Sequence, residues 1–179
     1  MKAARCLAML TLTIALGLAG CASSTSKPMP TVPYVDLQRF MGDWYVIANI
    51  PTFIEKGAHN AVESYKLEAD GTIATTFTFR AGSFDGEQKR YNPRGFVTDR
   101  TTNALWGMQF IWPIKADYRI VWLDHDYRLT LIARQQRDYL WIMARTPSIS
   151  AEDYERIVKF AGELGYDTKT ILKVPQRWK

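Results

Sequence analysis

The chain contains few of the residues that form disulfides, metal sites or nucleic-acid contacts. It has two cysteines and two histidines among 179 residues, and the histidines, His59 and His125, lie far apart. No metal-ligand spacing results, so we expect neither a metal nor another cofactor. The formal net charge is +5, but no run of five like charges occurs. This excludes the charged arm typical of nucleic-acid-binding proteins.

The sequence also lacks a hydrophobic run long enough for a membrane-spanning helix. The apolar stretch at residues 6–17 falls short of the ~20 residues that a transmembrane helix needs. Lys2 and Arg5 precede it, and Leu18-Ala19-Gly20-Cys21 follows it. A basic start, a short apolar segment and small residues are typical of a secretory signal, which we predict over residues 1–20.

The Leu-Ala-Gly-Cys block resembles the lipobox of bacterial lipoproteins. The resemblance implies cleavage before Cys21 and diacylglycerol on its sulfur. Ala22 at the next position implies sorting to the outer membrane of a Gram-negative cell, with the domain in the periplasm. The alternative is a plain secretory signal in which Cys21 matches by chance. Residues 21–33 are rich in Ser, Thr and Pro and predict a lipidated cysteine followed by a flexible tether.

Residues 34–179 predict a single all-β domain. Eight segments follow one another with turn signals between them, and each either alternates between apolar and polar residues or is apolar throughout. This pattern is typical of an antiparallel sandwich or barrel. They cover residues 42–50, 61–69, 72–80, 89–99, 104–112, 118–124, 128–135 and 138–146. Ser150 then suits a helix N-cap and Gly165 a helix stop. The apolar face between them predicts one amphipathic helix packed outside the sheet.

Three short motifs occur along these strands in a fixed order. Gly42-Asp43-Trp44 begins the first strand, Asp124 and Tyr127 lie in a turn between two later strands, and Arg145 ends the last. This combination resembles the lipocalin family. The resemblance implies an eight-stranded antiparallel up-and-down barrel, the lipocalin calyx, with one C-terminal helix outside. It also implies that Arg145 lies across the Trp44 ring at the closed end.

The turn motif departs from the family pattern. Leu123 replaces the usual threonine, and one extra residue separates Asp124 from Tyr127. The form of the turn therefore stays open. The lipobox in front and the helix behind make the resemblance specific to bacterial outer-membrane lipocalins.

For that branch, the resemblance implies a calyx that stores or transports fatty acids, phospholipids or lysophospholipids for membrane maintenance. Counting alternate positions from the motifs predicts a mostly apolar inward set, as expected for a ligand site. The set is Val46, Ala48, Glu63, Tyr65, Leu67, Phe77, Phe79, Tyr118, Ile120, Trp122, Leu131, Ala133, Trp141 and Met143. Glu63 either meets a ligand head group or faces water at the rim. A packed barrel without a cavity is the alternative.

The segment "ALWGMQFIWP" is apolar on both faces. If alternate residues from Leu105 point inward, Trp106, Met108 and Phe110 form an outward patch. A homodimer contact, a membrane-facing lip and cover by a loop all stay open for this patch. Residues 51–60 form the longest predicted loop, a lid over the mouth.

Other functions are weaker alternatives. No phosphate-binding loop or nucleophile elbow occurs, and Asp124 and Asp126 suit turn chemistry better than acid–base chemistry, so we expect no enzyme activity. A carrier of haem or another hydrophobic molecule, with His59 as a loop ligand to iron, is one rival. A structural envelope lipoprotein that binds a protein partner through Trp106 is the other.

Overall fold

The computed structural model describes residues 27–178, whose strands form one antiparallel sheet that closes on itself. The helices are α1 (Leu37–Phe40) and α2 (Ala151–Glu163), with a 3₁₀ turn at Thr168–Thr170. The strands are β1 (Gly42–Ile50), β2 (Ala58–Leu67), β3 (Thr72–Ala81), β4 (Gln88–Tyr91), β5 (Arg94–Val97), β6 (Leu105–Ile111), β7 (Ile114–Leu123), β8 (Leu129–Ala133), β9 (Leu140–Ala144) and β10 (Leu172–Lys173).

The barrel has eight strand positions, as the sequence predicts. β1 pairs with both β2 and β9, which closes the ring, and β10 adds a short ninth position beside β1. β4 and β5 both pair with β3, so they are two halves of one interrupted strand. Pro93 lies at the interruption, where its missing N–H cannot support a continuous ladder.

A short helix, α1, closes one end of the barrel and was not expected from the sequence. Asp36 caps it, because its carboxylate accepts hydrogen bonds from the backbone N–H groups of Gln38 and Arg39. The helix places Phe40 under the barrel, where its side chain is fully buried. We call this end, which also carries Trp44 and Arg145, the closed end.

Two hydrophobic cores lie on opposite sides of the barrel wall. One fills the interior and includes Trp44 and Trp106. The other lies between the outer wall of β8 and β9 and helix α2, which contributes Ile157 and Ala161. Ser150 caps α2 by accepting a hydrogen bond from the N–H of Asp153, as expected from its sequence.

Two β-bulges change which residues face inward. In β1, Val46 pairs with Met143 but Ala48 pairs with Ile142, which places Ala48 in the outer core. In β7 a similar shift follows Ile120, and Trp122 packs against the outer core beside α2. The inward placements predicted for Ala48 and Trp122 are therefore wrong, because each bulge inserts one residue and reverses the alternation.

The predicted orientation of β8 is also wrong. Leu131 and Ala133 belong to the outer core, and Ile132 between them faces the barrel interior. All five residues of β8 are buried, because α2 covers the outer face. With both faces apolar, the pattern of hydrophobic residues could not indicate which face is inside.

The predicted orientation of β6 is wrong for the same reason, because this strand is also apolar on both faces. Trp106 and Met108 pair with Tyr118 and Ala116 and are buried in the interior core, so they form no outward patch. A Cβ on Gly107 would meet the side chain of Lys115, on the outer face. Only the end of the strand, at Phe110 and Ile111, is substantially exposed.

Part of the predicted tether lies against the barrel. Met29 is buried, its N–H donates to Gln135 Oε1, and its carbonyl accepts from Arg119. The Val32 N–H donates to the Ile120 carbonyl at 2.9 Å. The predicted signal, Cys21 and the rest of the tether up to residue 26 lie outside the described residues. Within residues 27–178, no helix has the length and hydropathy of a membrane span.

Candidate ligand cavity

An aromatic cluster fills the closed half of the barrel. The Phe40 ring lies 4.9 Å from Trp44, and the Trp106 ring stacks on Tyr118 at 5.2 Å. Tyr65 lies between them, 5.7 Å from both Phe40 and Trp106. Rings packed edge-on and stacked in this way leave no room for a ligand here.

Arg145 seals the closed end from outside. Its guanidinium lies 3.8 Å from the centroid of the Trp44 ring. It also donates hydrogen bonds to the backbone carbonyls of Arg39, Phe40, Asp43 and Tyr127. These contacts join α1, β1 and the β7–β8 turn.

The turn after β7 is fixed by two of the motif residues. Asp124 accepts hydrogen bonds from the N–H groups of Arg128 and Leu129. Tyr127 adopts a φ of 59°, and its hydroxyl accepts from the N–H of Asp36 at 2.8 Å. The turn thus holds the segment that leads into α1. The sequence had left the form of this turn open, because the turn motif departs from the family pattern.

The other half of the barrel is hollow. A cavity of about 380 Å³, within the usual range for small-molecule sites, lies between the aromatic cluster and the mouth. Four residues of the predicted calyx set line it: Glu63, Phe77, Tyr118 and Trp141.

Six further members of the predicted set lie in or against the interior core without lining the cavity. They are Val46, Tyr65, Leu67, Phe79, Ile120 and Met143. Their inward orientation agrees with the alternation. They support the cavity wall or fill the barrel below it.

The loop predicted over the mouth at residues 51–60, which the structure ends at residue 57, does border the cavity, but sequence reasoning named none of its residues as lining and missed the others at the mouth. The additional lining residues are Thr52, Phe53, Ile54, Glu55, Thr75, Tyr91, Asn92, Pro93, Met108, Phe110, Ile111, Ala116, Asp117 and Arg134. Several belong to the loop at residues 51–57 and to the β6–β7 hairpin. The inward orientation of Tyr118 was predicted correctly. Pairing β6 with β7 in the register set by Tyr118 would have identified Met108 and Ala116 as lining residues.

A buried polar group forms the floor of the cavity. The Tyr65 hydroxyl donates to Glu63 and lies 2.7 Å from the Tyr118 hydroxyl. Burial raises the pKa of Glu63 to about 7, opposed by the hydrogen bond from Tyr65 and supported by the charge of Glu55. Burial also raises the pKa of both tyrosines. Glu63 therefore lies beside the aromatic cluster, through Tyr65, and its side chain is half-buried at the cavity wall.

A second carboxyl belongs to the loop at residues 51–57 and lines the cavity. Glu55 is 5% exposed and accepts hydrogen bonds from Asn49, Thr52 and Trp141 at 2.9–3.1 Å. Burial raises its pKa, and these hydrogen bonds oppose the shift. They also fix the loop and the Trp141 indole at the cavity wall.

Arg134 is the one cationic residue among those that line the cavity. Its Nη1 lies 3.3 Å from Asp138, and its buried Nε has no hydrogen-bond partner among the described residues. The lining thus carries one cation, near the β8–β9 turn, and three carboxyls, those of Glu55, Glu63 and Asp117.

The cavity offers little for iron or another metal. Within residues 27–178, no group of three or more His, Cys, Asp or Glu is placed to hold a metal ion. His59 is absent from the cavity lining; its ring packs edge-on against Phe84, with Nδ1 2.9 Å from the Gly57 carbonyl oxygen. Nothing at the site favours a haem carrier.

Comparison with known proteins agrees with this geometry. A family model described as a lipocalin-like domain matches residues 35–176, which is most of the chain. The chain belongs to the lipocalin family. Temperature-induced lipocalin-1 of Arabidopsis thaliana is 32% identical over 162 residues, covering 84% of each chain.

A bacterial lipocalin is similarly close. The outer membrane lipoprotein Blc of Citrobacter freundii is 32% identical over 165 residues, covering 92% of this chain and 93% of Blc. Among solved structures, insecticyanin from the tobacco hornworm superposes with a TM-score of 0.64 at 14% identity, covering 85% of this chain and 84% of insecticyanin. These similarities support a bacterial lipocalin of the Blc type, and the structural one supports the fold alone.

The Glu63 carboxyl is expected to make this lipocalin less stable as the pH rises. Between pH ~4.5 and ~7 the folded protein retains a proton that the unfolded chain has released, so stability falls through that range. From pH 5 to 8 the wild type should lose about 1–3 kcal/mol more than Glu63→Gln, the lower figure applying if water enters the cavity. Urea unfolding across this range measures the difference. Parallel profiles for the two proteins would contradict the assignment.

Proposed function

We propose that this lipocalin binds the acyl chain of a fatty acid, phospholipid or lysophospholipid in its cavity and stores or transports the lipid. The observation that carries the proposal is the division of the barrel into a filled closed half and a hollow, largely apolar half. Burial of an acyl chain against Phe77, Met108 and Trp141 needs no chemical step. Each buried methylene contributes about 0.8 kcal/mol, so about ten contribute a gross 8 kcal/mol before association costs.

The charges of the site favour one orientation of the lipid. At the floor of the cavity, an anionic head group would lie buried beside Glu63, with no cationic side chain of the described residues there to pair with it. Arg134, whose guanidinium also meets Asp138 at 3.3 Å, is the cationic side chain that lines the cavity, at the β8–β9 turn. We therefore place the acyl tail inside and the carboxylate or phosphate beside Arg134.

The proposed location is the periplasmic face of the outer membrane. The lipobox at Cys21 supports a lipid anchor there, and the Citrobacter freundii relative is named an outer membrane lipoprotein. A cleaved signal at residues 1–20 and acylation of Cys21 are parts of this proposal. An anchor would keep the cavity close to a membrane that supplies lipid, which suits a role in membrane maintenance.

Lipid titration tests the proposed function. Residues 27–179 are suitable, because the closed sheet and both cores lie within the described residues. We expect tryptophan emission to change saturably at one equivalent of lysophosphatidylcholine or palmitate, below the micelle concentration. Most of the change should disappear in Trp141→Phe, which removes the indole at the cavity wall, and persist in Trp178→Phe. An unsaturable response, or one that Trp141→Phe leaves unchanged, would contradict binding in the cavity.

A further inference from the structure

Large apolar side chains are concentrated at the mouth of the barrel. Phe53 is 83% exposed, Trp112 82%, Ile111 72%, Ile114 68% and Phe110 49%. These five residues, which we call the apolar lip, occupy the loop at residues 51–57 and the β6–β7 hairpin. Exposed apolar clusters of this kind mark surfaces that meet an apolar partner.

The apolar lip is continuous with the cavity. Phe53, Phe110 and Ile111 line the cavity as well as being exposed, so they extend its apolar wall to the outer surface. An acyl chain that leaves the cavity across the lip would stay in contact with apolar side chains. Such a route is useful only if an apolar phase lies beyond the lip.

Lys27, the sixth residue after Cys21, also lies at this end of the barrel. The Lys27 carbonyl accepts hydrogen bonds from Gln135 and Arg137 in the turn between β8 and β9. That turn follows Ala133, which pairs with Leu140, and Leu140 pairs with Ile50 just before the mouth loop. Five residues separate Lys27 from Cys21, so the two Cα atoms lie at most about 22 Å apart. A lipid on Cys21 would therefore hold this end toward the bilayer.

Charge at the lip suits a membrane surface. The hairpin segment from residue 109 to 116 carries no acid, and the ammonium of its one charged residue, Lys115, lies 3.7 Å from the Phe96 ring on the outer wall. Lys56 lies in the neighbouring loop, and its side chain is exposed. Tryptophan and lysine beside apolar residues are typical of the membrane–water interface, where an indole lies at head-group depth and an ammonium reaches the phosphates.

We infer that the apolar lip inserts into the head-group region of a phospholipid membrane, so that the cavity opens toward the bilayer. The inference deepens the proposed function and rests on it for the lipid anchor. Insertion turns the apolar lip from a surface exposed to water into a path for lipid. The lip itself, however, binds through its own side chains and needs neither the anchor nor a ligand in the cavity.

Vesicle partitioning of residues 27–179, which lack the anchor, tests this inference. We expect the domain to co-sediment with phosphatidylcholine vesicles and the double variant Ile111→Ser/Trp112→Ser to bind at least tenfold more weakly. The matched control is Leu172→Ser/Trp178→Ser, which also removes an exposed leucine and an exposed tryptophan side chain, 56% and 47% exposed, at positions that do not line the cavity. The control should change partitioning less than twofold.

Two outcomes would overturn the inference. One is absence of vesicle binding by the unmodified domain, including the case in which it forms a homodimer that the lip variant dissociates. The other is equal weakening by the lip variant and the control variant. Thermal unfolding of both variants separates loss of binding from loss of folding.

Separate measurements test the proposed function, so it can be contradicted whether or not the domain binds vesicles. Lysophosphatidylcholine titration reports cavity binding, and the mass of the N-terminal peptide from the membrane fraction reports acylation of Cys21. Vesicle binding that persists in Ala116→Trp, a substitution at the cavity wall that would block the cavity, would support the lip as a separate surface. Loss of vesicle binding in the same cavity-blocked protein would overturn the inference, because the membrane contact would then depend on the cavity.

Discussion

Replacing Trp44 by alanine is expected to lower the free energy of unfolding by about 3–5 kcal/mol. The side chain is fully buried, its Nε1 donates to the Phe40 carbonyl at 2.8 Å, and its outer face carries the Arg145 guanidinium. Alanine would leave a cavity beneath Phe40 and remove the ring on which Arg145 lies. Urea unfolding of the domain measures the loss.

Trp178→Ala is the matched control for this variant. Trp178 is 47% exposed and contacts Tyr45 on the outside of the barrel, so its loss should cost less than about 1 kcal/mol. If Trp44→Ala does not fold, Trp44→Phe retains a ring and should fold with an intermediate loss. Equal effects of the alanine variants at Trp44 and Trp178 would contradict the view that the closed end depends on its buried tryptophan.

Filling the cavity by Ala116→Trp is expected to weaken lipid binding about 50-fold. Ala116 lines the cavity and pairs with the inward Met108, so an indole there would occupy space proposed for the acyl chain. Displacing three methylenes removes about 2.4 kcal/mol of burial, which corresponds to that factor in affinity. The same lipid titration that tests the proposed function measures it.

Ala74→Trp provides the control for the filled cavity. Ala74 lies on β3 between two buried residues, Ile73 and Thr75, and therefore faces the outside. The tryptophan there should leave lipid affinity within about twofold. Unchanged affinity in Ala116→Trp, with the variant folded, would show that lipid binds elsewhere.

The three sequence motifs predicted the closed end of the barrel better than alternation along the strands predicted the residues that line the cavity. Gly42, Trp44 and Arg145 could be placed at the closed end from their residue types at strand ends. Their prediction did not depend on counting alternate positions along a strand. A glycine at position 42 suits its φ of +91°, and a Cβ there would lie 3.5 Å from Arg145. The overall barrel and its outer helix are confirmed.

The errors in the predicted calyx have two physical causes. Bulges reverse the alternation at Ala48 and Trp122, and no residue type in either strand marks them. Helix α2 makes the outer wall of β8 as apolar as the inner one, which hid the orientation of Leu131 and Ala133. The mouth residues come from loops and a hairpin tip, whose arrangement depends on tertiary contacts such as those of Glu55.

The most direct test of the proposed lipid site is a crystal structure of residues 27–179 with a bromine-labelled fatty acid, using anomalous diffraction at the bromine edge. With bromine near the end of the acyl chain, we predict one strong peak between Phe77, Met108 and Trp141, with the carboxylate near Arg134. A cavity without bromine, or a peak only on the outer surface of the barrel, would contradict the proposal that the hollow half of this lipocalin binds lipid.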